Sequence, residues 1–314
     1  MVPGTAKAAK VAEPGARGIA LVVVLWMLTL LAVIAASFTT TTRTETRLAR
    51  NLVENAKAEA LADAAVHRAI VGLLDGDPDA RWAADGTLYE FAMADGTAWI
   101  TIQDETGKID LNAGSRNLIA ALLDAADVPL AEADSLSDAI IDYRDTDDQR
   151  RPSGAEDDDY RDAGLPWGAK DRPFEAVEEL RRVLGMTPEL YDRISPYLTV
   201  YTGQRGANAA ALRAGALAAE DTFDTNGADD DEVDTDADQD AAPEAAPVNL
   251  ERLAGVTGGR RSRRALRIYS VRAEATVDSG ALFVREAVVR LTGRAERPWL
   301  VHAWRQGRMD PLAQ

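Results

Sequence analysis

The sequence predicts an α+β protein built from a long N-terminal helix, an antiparallel sheet and a helical module inserted into that sheet. Three observations carry this. An apolar run over residues 19–38 passes without Gly or Pro into a helical pattern that reaches residue 71. Two strand patterns follow at once, and three more close the chain, with helical spacing between the two sets. The chain has 314 residues and is 46% hydrophobic, enough for the helix plus one or two domains.

The N-terminal run IALVVVLWMLTLLAVIAASF holds no charged residue, and Thr29 and Ser37 are its most polar members. As a helix of about 1.5 Å rise per residue it spans about 30 Å, the thickness of a bilayer's hydrocarbon. Lys7, Lys10 and Arg17 precede it, opposed only by Glu13, so the N-terminus is expected to stay in the cytoplasm. Everything after residue 38 is then exported. A secretory signal cut near Ala35, Ala36 and Ser37, or a plain anchor, are the simpler alternatives. Beyond the apolar run, Leu48, Leu52, Ala56, Ala60, Val66, Ile70 and Leu74 are expected to line one stripe of the continuing helix, which ends at the breaker Asp75-Gly76-Asp77-Pro78.

Residues 88–94 and 98–104 read as strands joined at Asp95-Gly96, a pair suited to a type I′ hairpin, and 107–112 as a short third strand. Helical spacing then covers 117–127 and 135–143. A further helix is expected from Pro173 to a C-cap glycine at Gly185, and another behind Thr187-Pro188. Residues 266–277, 281–292 and 299–304 are strand-like, with Asp278-Ser279-Gly280 as the first turn.

Composition bounds function as well. There is no cysteine, so neither disulfides nor thiolate metal sites contribute. A net charge of −17 argues against nucleic acid as a partner and suits divalent cations or basic proteins. Only His67 and His302 are present, and no G-x-S-x-G, H-E-x-x-H or P-loop pattern occurs, so the chain is not expected to be an enzyme. Trp82, Trp99, Trp167, Trp299 and Trp304 could mark a sugar-binding face, although core packing is their commoner use.

The stretch 142–160, DYRDTDDQRRPSGAEDDDY, is the densest in potential chemistry. Clustered carboxylates on an irregular loop supply the oxygens that Ca²⁺ requires. Asp145, Asp147 and Glu156 fall at the first, third and twelfth positions of an EF-hand loop, but Gln149 and Arg150 stand where a ligand and the turn glycine belong, so the EF-hand pattern fails. By spacing alone the stretch reads equally well as a solvated acidic loop paired with Arg144, Arg150, Arg151 and Arg161. A second acidic region, 221–247, is Asp, Ala, Thr and Pro with almost no large apolar residue and is expected to be a disordered linker. Arg260, Arg261, Arg263, Arg264 and Arg267 follow it as a basic cluster, read as a charged strand edge rather than a partner or lipid patch.

A basic leader ending in glycine, a very apolar helix and an amphipathic continuation resemble the N-terminus of type IV pilins and type II secretion pseudopilins. The resemblance implies that a prepilin peptidase cuts between Gly18 and Ile19 and that Ile19 becomes N-methylated. Most members carry Glu at the fifth mature position, where this chain has Val23. That departure, the insertion of a helical module into the sheet, and the D-Y-R-D-x-D and G-A-E-D-x-x-Y runs at residues 142–147 and 154–160 are similar to the large minor pseudopilin K family. The family implies a structural Ca²⁺ in the helical module, carried over to Asp145, Asp147, Glu156 and Asp157, with Asp142 and Asp159 beside them.

It further implies a domain order of leader 1–18, helix 19–75 with 19–38 in the membrane, pilin-like sheet 76–112 and 265–306, inserted helical domain 113–220 and acidic linker 221–264. The expected function is a minor pseudopilin at the tip of the pseudopilus, assembling with other minor pseudopilins and supporting export of folded proteins. Its expected place is the bacterial inner membrane, single-pass, with the C-terminal domain in the periplasm. The reading from another class is a membrane-anchored periplasmic calcium-binding protein with no filament role.

Overall fold

The computed structural model describes residues 16–212, 248–254 and 267–308. Most of the leader, the acidic stretch 221–247 and Arg260, Arg261, Arg263 and Arg264 lie outside the described residues. The chain divides into two compact units, residues 1–56 and 57–314.

Helix α1 runs Ala16–Leu74, 59 residues without a break. In the first unit each large apolar side chain described between residues 21 and 34 exposes more than half its surface. Among the described residues no helix is long and apolar enough to cross a membrane. In the second unit α1 buries Ala58, Leu61, Ala62, Ala65, Val66, Ala69, Ile70 and Leu73. These fall at i, i+3 and i+4, one face of a 3.6-residue period. The stripe differs from the one expected: Ala60 is exposed, and Leu48 and Leu52 are 60% and 63% exposed. Val66 and Ile70 are buried as expected, and Ala62, Ala65 and Ala69 beside them let the sheet approach the helix backbone.

Five antiparallel strands pack on that face. β1 (Asp85–Met93), β2 (Gly96–Asp104), β5 (Ile268–Val277), β6 (Leu282–Leu291) and β7 (Trp299–Gln306) lie in the order β1-β2-β5-β6-β7. Alternate residues such as Ile100, Ile102, Val271, Ala273, Ala275 and Val289 point to the helix and are buried. The β1–β2 turn is Ala94-Asp95, with Met93 paired to Gly96, and Asp95 does not have the positive φ of a type I′ turn. Gly280 does take a left-handed conformation, φ 84°, in the β5–β6 turn.

Two tight contacts fix the helix on the sheet. Arg285 of β6 is 7% exposed; it donates to Asp63 at 2.6 Å and Glu59 at 2.7 Å and lies over the rings of Phe283 and Trp304. Near the C-terminus of α1, Gly72 carries the Trp82 ring, which stacks on Tyr89 at 4.2 Å while Arg68 covers it at 4.4 Å. A Cβ on Gly72 would stand 2.6 Å from two ring carbons. Gly72→Val is therefore expected to destabilise the chain by about 2 kcal/mol, overpacking outweighing the gain from removing a helical glycine. The thermal transition and the tryptophan emission maximum should both shift; an unchanged spectrum would mean that the ring does not rest there.

Between β2 and its neighbour β5 the chain makes a long helical excursion with its own core. β3 (Ile109–Asp110) does not extend the large sheet as expected but pairs in parallel with β4 (Leu198–Thr199). The reason is Asp110, 1% exposed: its Oδ1 accepts from the N–H of Asn112 (2.8 Å) and Ala113 (2.9 Å), and its Oδ2 from Thr202 N–H (2.9 Å), Thr202 Oγ1 (3.1 Å) and Gly203 N–H (2.7 Å). α2 (Arg116–Ala125), capped by Ser115, and α3 (Leu130–Arg144) pack around Leu118, Leu122, Leu123, Leu136 and Ile140. After α4 (Asp157–Asp162), residues 177–182 form a 3-10 turn rather than the expected α-helix, closed by Gly185 at φ 89°. α5 (Pro188–Ile194) begins behind the Thr187 cap as predicted. Inside the interval expected to be linker, α6 (Leu250–Ala254) forms and buries Leu253, and Val248 beside it is also buried. The two apolar residues explain why this part is ordered.

The seam between module and sheet is polar. Arg305 of β7 pairs with Glu178 at 2.7 Å and with Glu286 at 3.0 Å. A cavity of about 330 Å³ lies beside these groups.

Candidate functional site

The acidic stretch folds as the end of α3, a loop, and α4. Asp138 and Asp142 sit one helical turn apart and are both buried, at 5% and 0% exposure. Asp138 is fully engaged: Arg116 donates to its Oδ1 at 2.6 Å and Ser153 N–H to its Oδ2 at 3.2 Å. Asp142 receives Arg151 N–H on Oδ2 at 3.1 Å. Arg151 Nε lies 3.2 Å from Oδ1 but out of line, so that oxygen has no hydrogen bond.

Four buried carboxylate oxygens here lack a hydrogen-bond donor, one each on Asp142, Asp145, Glu156 and Asp171. A buried carboxylate oxygen normally finds a donor, because its desolvation costs free energy that nothing else returns. The groups also feel one another. The Glu156 carboxyl is pushed up to about 7 by burial, then by the charges of Asp142, Asp145, Asp171 and Asp148. Burial likewise raises Asp142, Asp145 and Asp171, helped by neighbouring carboxylates. Asp171 is held in a left-handed backbone conformation, φ 54°, uncommon for a residue with a side chain.

The other expected ligands are placed differently. Asp147 accepts Gln149 N–H at 3.0 Å and contributes charge next to Asp145. Asp157 opens α4 and presses Oδ1 against Gly168, where a Cβ would come within 1.9 Å; Gly154 stands in the same relation to Asp142 Oδ2. Asp159 has both oxygens engaged, one by Arg150 at 2.7 Å and one by Glu156 N–H at 3.0 Å, and the Glu156 hydrogen bond, ahead of Arg150, holds its carboxyl below the usual range. Among the arginines expected to neutralise the loop, Arg144 turns away and donates to the carbonyls of Leu111 and Gly114. Asp148 and Asp171 join the group without having been singled out in the sequence; neither falls in a ligand spacing pattern. Among the described residues no three of these side chains converge as they stand on a point that would hold a metal ion.

Neither histidine is built as a base. His67 faces Asp63 O through Nδ1 at 2.7 Å and packs against Trp299 and Trp304, and burial lowers the pKa of His302, which lies against Tyr201.

The fold and site therefore define an α+β protein whose helix-backed antiparallel sheet carries a helical insertion with an acidic, donor-poor loop. The family profile of type II secretion system protein K matches residues 101–203, which hold the acidic loop and most of the described part of that insertion, and the PilX N-terminal profile matches residues 17–67. Over residues 101–203 the chain is similar to type II secretion system protein K. Type II secretion system protein K of Klebsiella pneumoniae is 29% identical over 58% of this chain and 62% of its own length, and that of Aeromonas hydrophila is 29% identical over the same shares. The chain thus spans less than two thirds of the length of these relatives. A crystal structure of the GspK-GspI-GspJ complex from enterotoxigenic Escherichia coli contains a chain of the same fold, with TM-score 0.52 and 20% identity over 85% of this chain and 99% of that one.

Proposed function

We propose that this chain is a minor pseudopilin of a type II secretion system, stored in the inner membrane by residues 19–38 and placed at the tip of the pseudopilus. The observation that carries the reading is the family match over residues 101–203, which falls on a helical module inserted between neighbouring strands of a helix-backed sheet. The open apolar surface of residues 21–34 suits a helix whose solvent is lipid and, after assembly, neighbouring helices. Val23 removes the membrane carboxylate by which most subunits of such filaments meet the amine of another, as suits a subunit with nothing above it. GspI and GspJ accompany the related chain in the solved complex, and the corresponding minor pseudopilins are the partners expected here, with exported folded proteins touching the head. The work is assembly, not catalysis.

Mass spectrometry of the membrane-extracted protein tests this first. In cells with prepilin peptidase the chain should begin at N-methylated Ile19, and in cells without it Gly18 should remain attached. A chain beginning near Ser37, or one unaffected by the peptidase, would overturn the reading.

The acidic loop fits a structural calcium ion. Asp142, Asp145, Glu156 and Asp171 supply buried oxygens with no donor, and Asp147 and Asp157 lie beside them, whereas Asp159 is already engaged by Arg150 and the start of α4. A hard divalent cation would replace the missing donors and cancel the mutual repulsion of these groups.

A further inference from the structure

The five-stranded sheet has two edges, β1 and β7, and they are finished differently. A strand edge carries a row of unpaired N–H and C=O groups, which proteins ordinarily shield with charge, proline, bulges or a covering segment. On β7 the ladder is broken by a register shift at Val288/Val289, and Arg305 ties the strand to Glu178 of the module. β1 has no lysine, arginine or proline, and its pairing with β2 is irregular only at the start, between Asp85 and Leu88, so residues 88–93 form a regular edge. The two-residue turn fixes which groups are free. In such a hairpin the closing residues, here Met93 and Gly96, bond to each other, so Met93, Phe91 and Tyr89 bond to β2 while Leu88, Glu90 and Ala92 turn their N–H and C=O outward. The side chains of these three lie with Trp99 on the sheet face away from α1. Leu88 and Met93 each expose more than half their surface and Trp99 44%, and Glu90 and Ala92 are exposed as well.

The charge around this edge is one-sided. Residues 75–95 carry Asp75, Asp77, Asp79, Asp85, Glu90 and Asp95 against a single cation, Arg81, whose Nε donates to the Asp75 carbonyl at 2.9 Å. Among the described residues none of the six carboxylates stands in an ion pair. Arg68 covers the Trp82 ring on the α1 side, and further into the sheet Arg272 and Glu274 neutralise each other at 2.6 Å. Nothing within the described chain therefore answers the acidic fringe of β1.

We propose that the free edge of β1 takes an extended segment of a partner chain as a sixth strand, one whose side chains alternate between basic and apolar. The row of backbone groups at Leu88, Glu90 and Ala92 selects a strand, since an added strand is what such a row pairs with. The charge selects its side chains: basic ones stand on the face of Glu90, their apolar stems lying along Leu88 and Trp99, and apolar ones continue the face of Tyr89 and Phe91. A second copy of this chain is disfavoured, because pairing two β1 edges sets one acidic fringe against another. The site is independent of the calcium ion and does not rest on the chain being a filament subunit.

The test uses the full-length chain in detergent and a fluorescein-labelled octapeptide alternating arginine with valine. Saturable binding is expected, weakening as ionic strength rises. Glu90→Gln should weaken it about fivefold, as loss of one cross-strand charge pair requires. Ala92→Pro removes an outward N–H without touching the β1–β2 ladder and should weaken it about tenfold. The peptide N-methylated at its arginine amides should not bind, and a glutamate-valine peptide should not compete. Melting temperatures of both variants should match the parent, since Glu90 and Ala92 are exposed. No saturable binding, equal binding of the N-methylated peptide, indifference to both variants, or competition by free arginine amide as effective as by the peptide would each overturn the proposal. So would self-association of the chain that Ala92→Pro abolishes, which would put a second copy on the edge. Binding that appears only with Arg260→Gln, Arg261→Gln, Arg263→Gln and Arg264→Gln together would put the chain's own basic segment there and overturn it too.

Discussion

Asp110→Ala should lower the stability of the chain by about 4 kcal/mol, the largest loss expected from any single side-chain truncation here. The carboxylate collects five hydrogen bonds while 1% exposed, four of them from backbone N–H groups in two segments that lie far apart in sequence. Truncation strands those donors in the interior, each at a cost of about 1–3 kcal/mol before any water enters. Asp110→Asn should cost about 2 kcal/mol, because the amide keeps one acceptor and turns its NH₂ toward other donors. Urea unfolding monitored by tryptophan fluorescence checks both. A midpoint change worth less than 1 kcal/mol for Asp110→Ala would show that the five contacts are not formed together.

In chelator, stability should fall as pH rises from about 4.5 to about 7, and calcium should abolish that fall. Glu156 sets the sign. Its carboxyl titrates near 4.5 when unfolded and is pushed up to about 7 in the folded chain, so the folded state holds its proton longer. Below both values the group contributes no difference. Between them the unfolded chain ionises first and gains, which destabilises the fold by about 2 kcal/mol above pH 7 once solvent near the loop is allowed for. A bound Ca²⁺ favours the ionised form and reverses the term. Melting curves from pH 4.5 to 8, in EDTA and in millimolar calcium, read this directly. Glu156→Gln should flatten the EDTA profile, and Asp142→Asn should reduce the shift on adding calcium. Equal melting temperatures with and without calcium at pH 7.5 would remove calcium from the account.

Local signals made much of this fold legible. The helix breaker after Leu74, the Thr187-Pro188 cap and the period-two strands at 85–104 and 268–306 are written in neighbouring residues, and they appear within a few positions of expectation. What failed depended on contacts across the chain. On α1 the periodicity marks Val66 and Ile70 correctly but Ala56 and Ala60 wrongly, because the residues of a long helix that meet the sheet are set by where the sheet lies and not by the helix's own pattern. Residues 107–112 looked like a third strand of the large sheet, but their partner, Leu198–Thr199, lies some ninety residues away and cannot be seen from composition. In the acidic loop the sequence located Asp142, Asp145 and Glu156 through density and spacing. It could not separate Asp159, neutralised by Arg150, from Asp171, which reaches the group only by way of a left-handed turn.

The parallel pairing of Ile109–Asp110 with Leu198–Thr199 bears on how the chain finds its fold. Bringing β2 and β5 together across more than 160 intervening residues is entropically expensive when those residues wander freely. Once the short ladder has closed, nearly ninety of them move as one small body, and the distance that remains to be searched is set by what lies outside it. The insertion can then fold first and shorten the effective separation of the strands it interrupts, so that a large module sits inside a sheet without making the sheet slow to form.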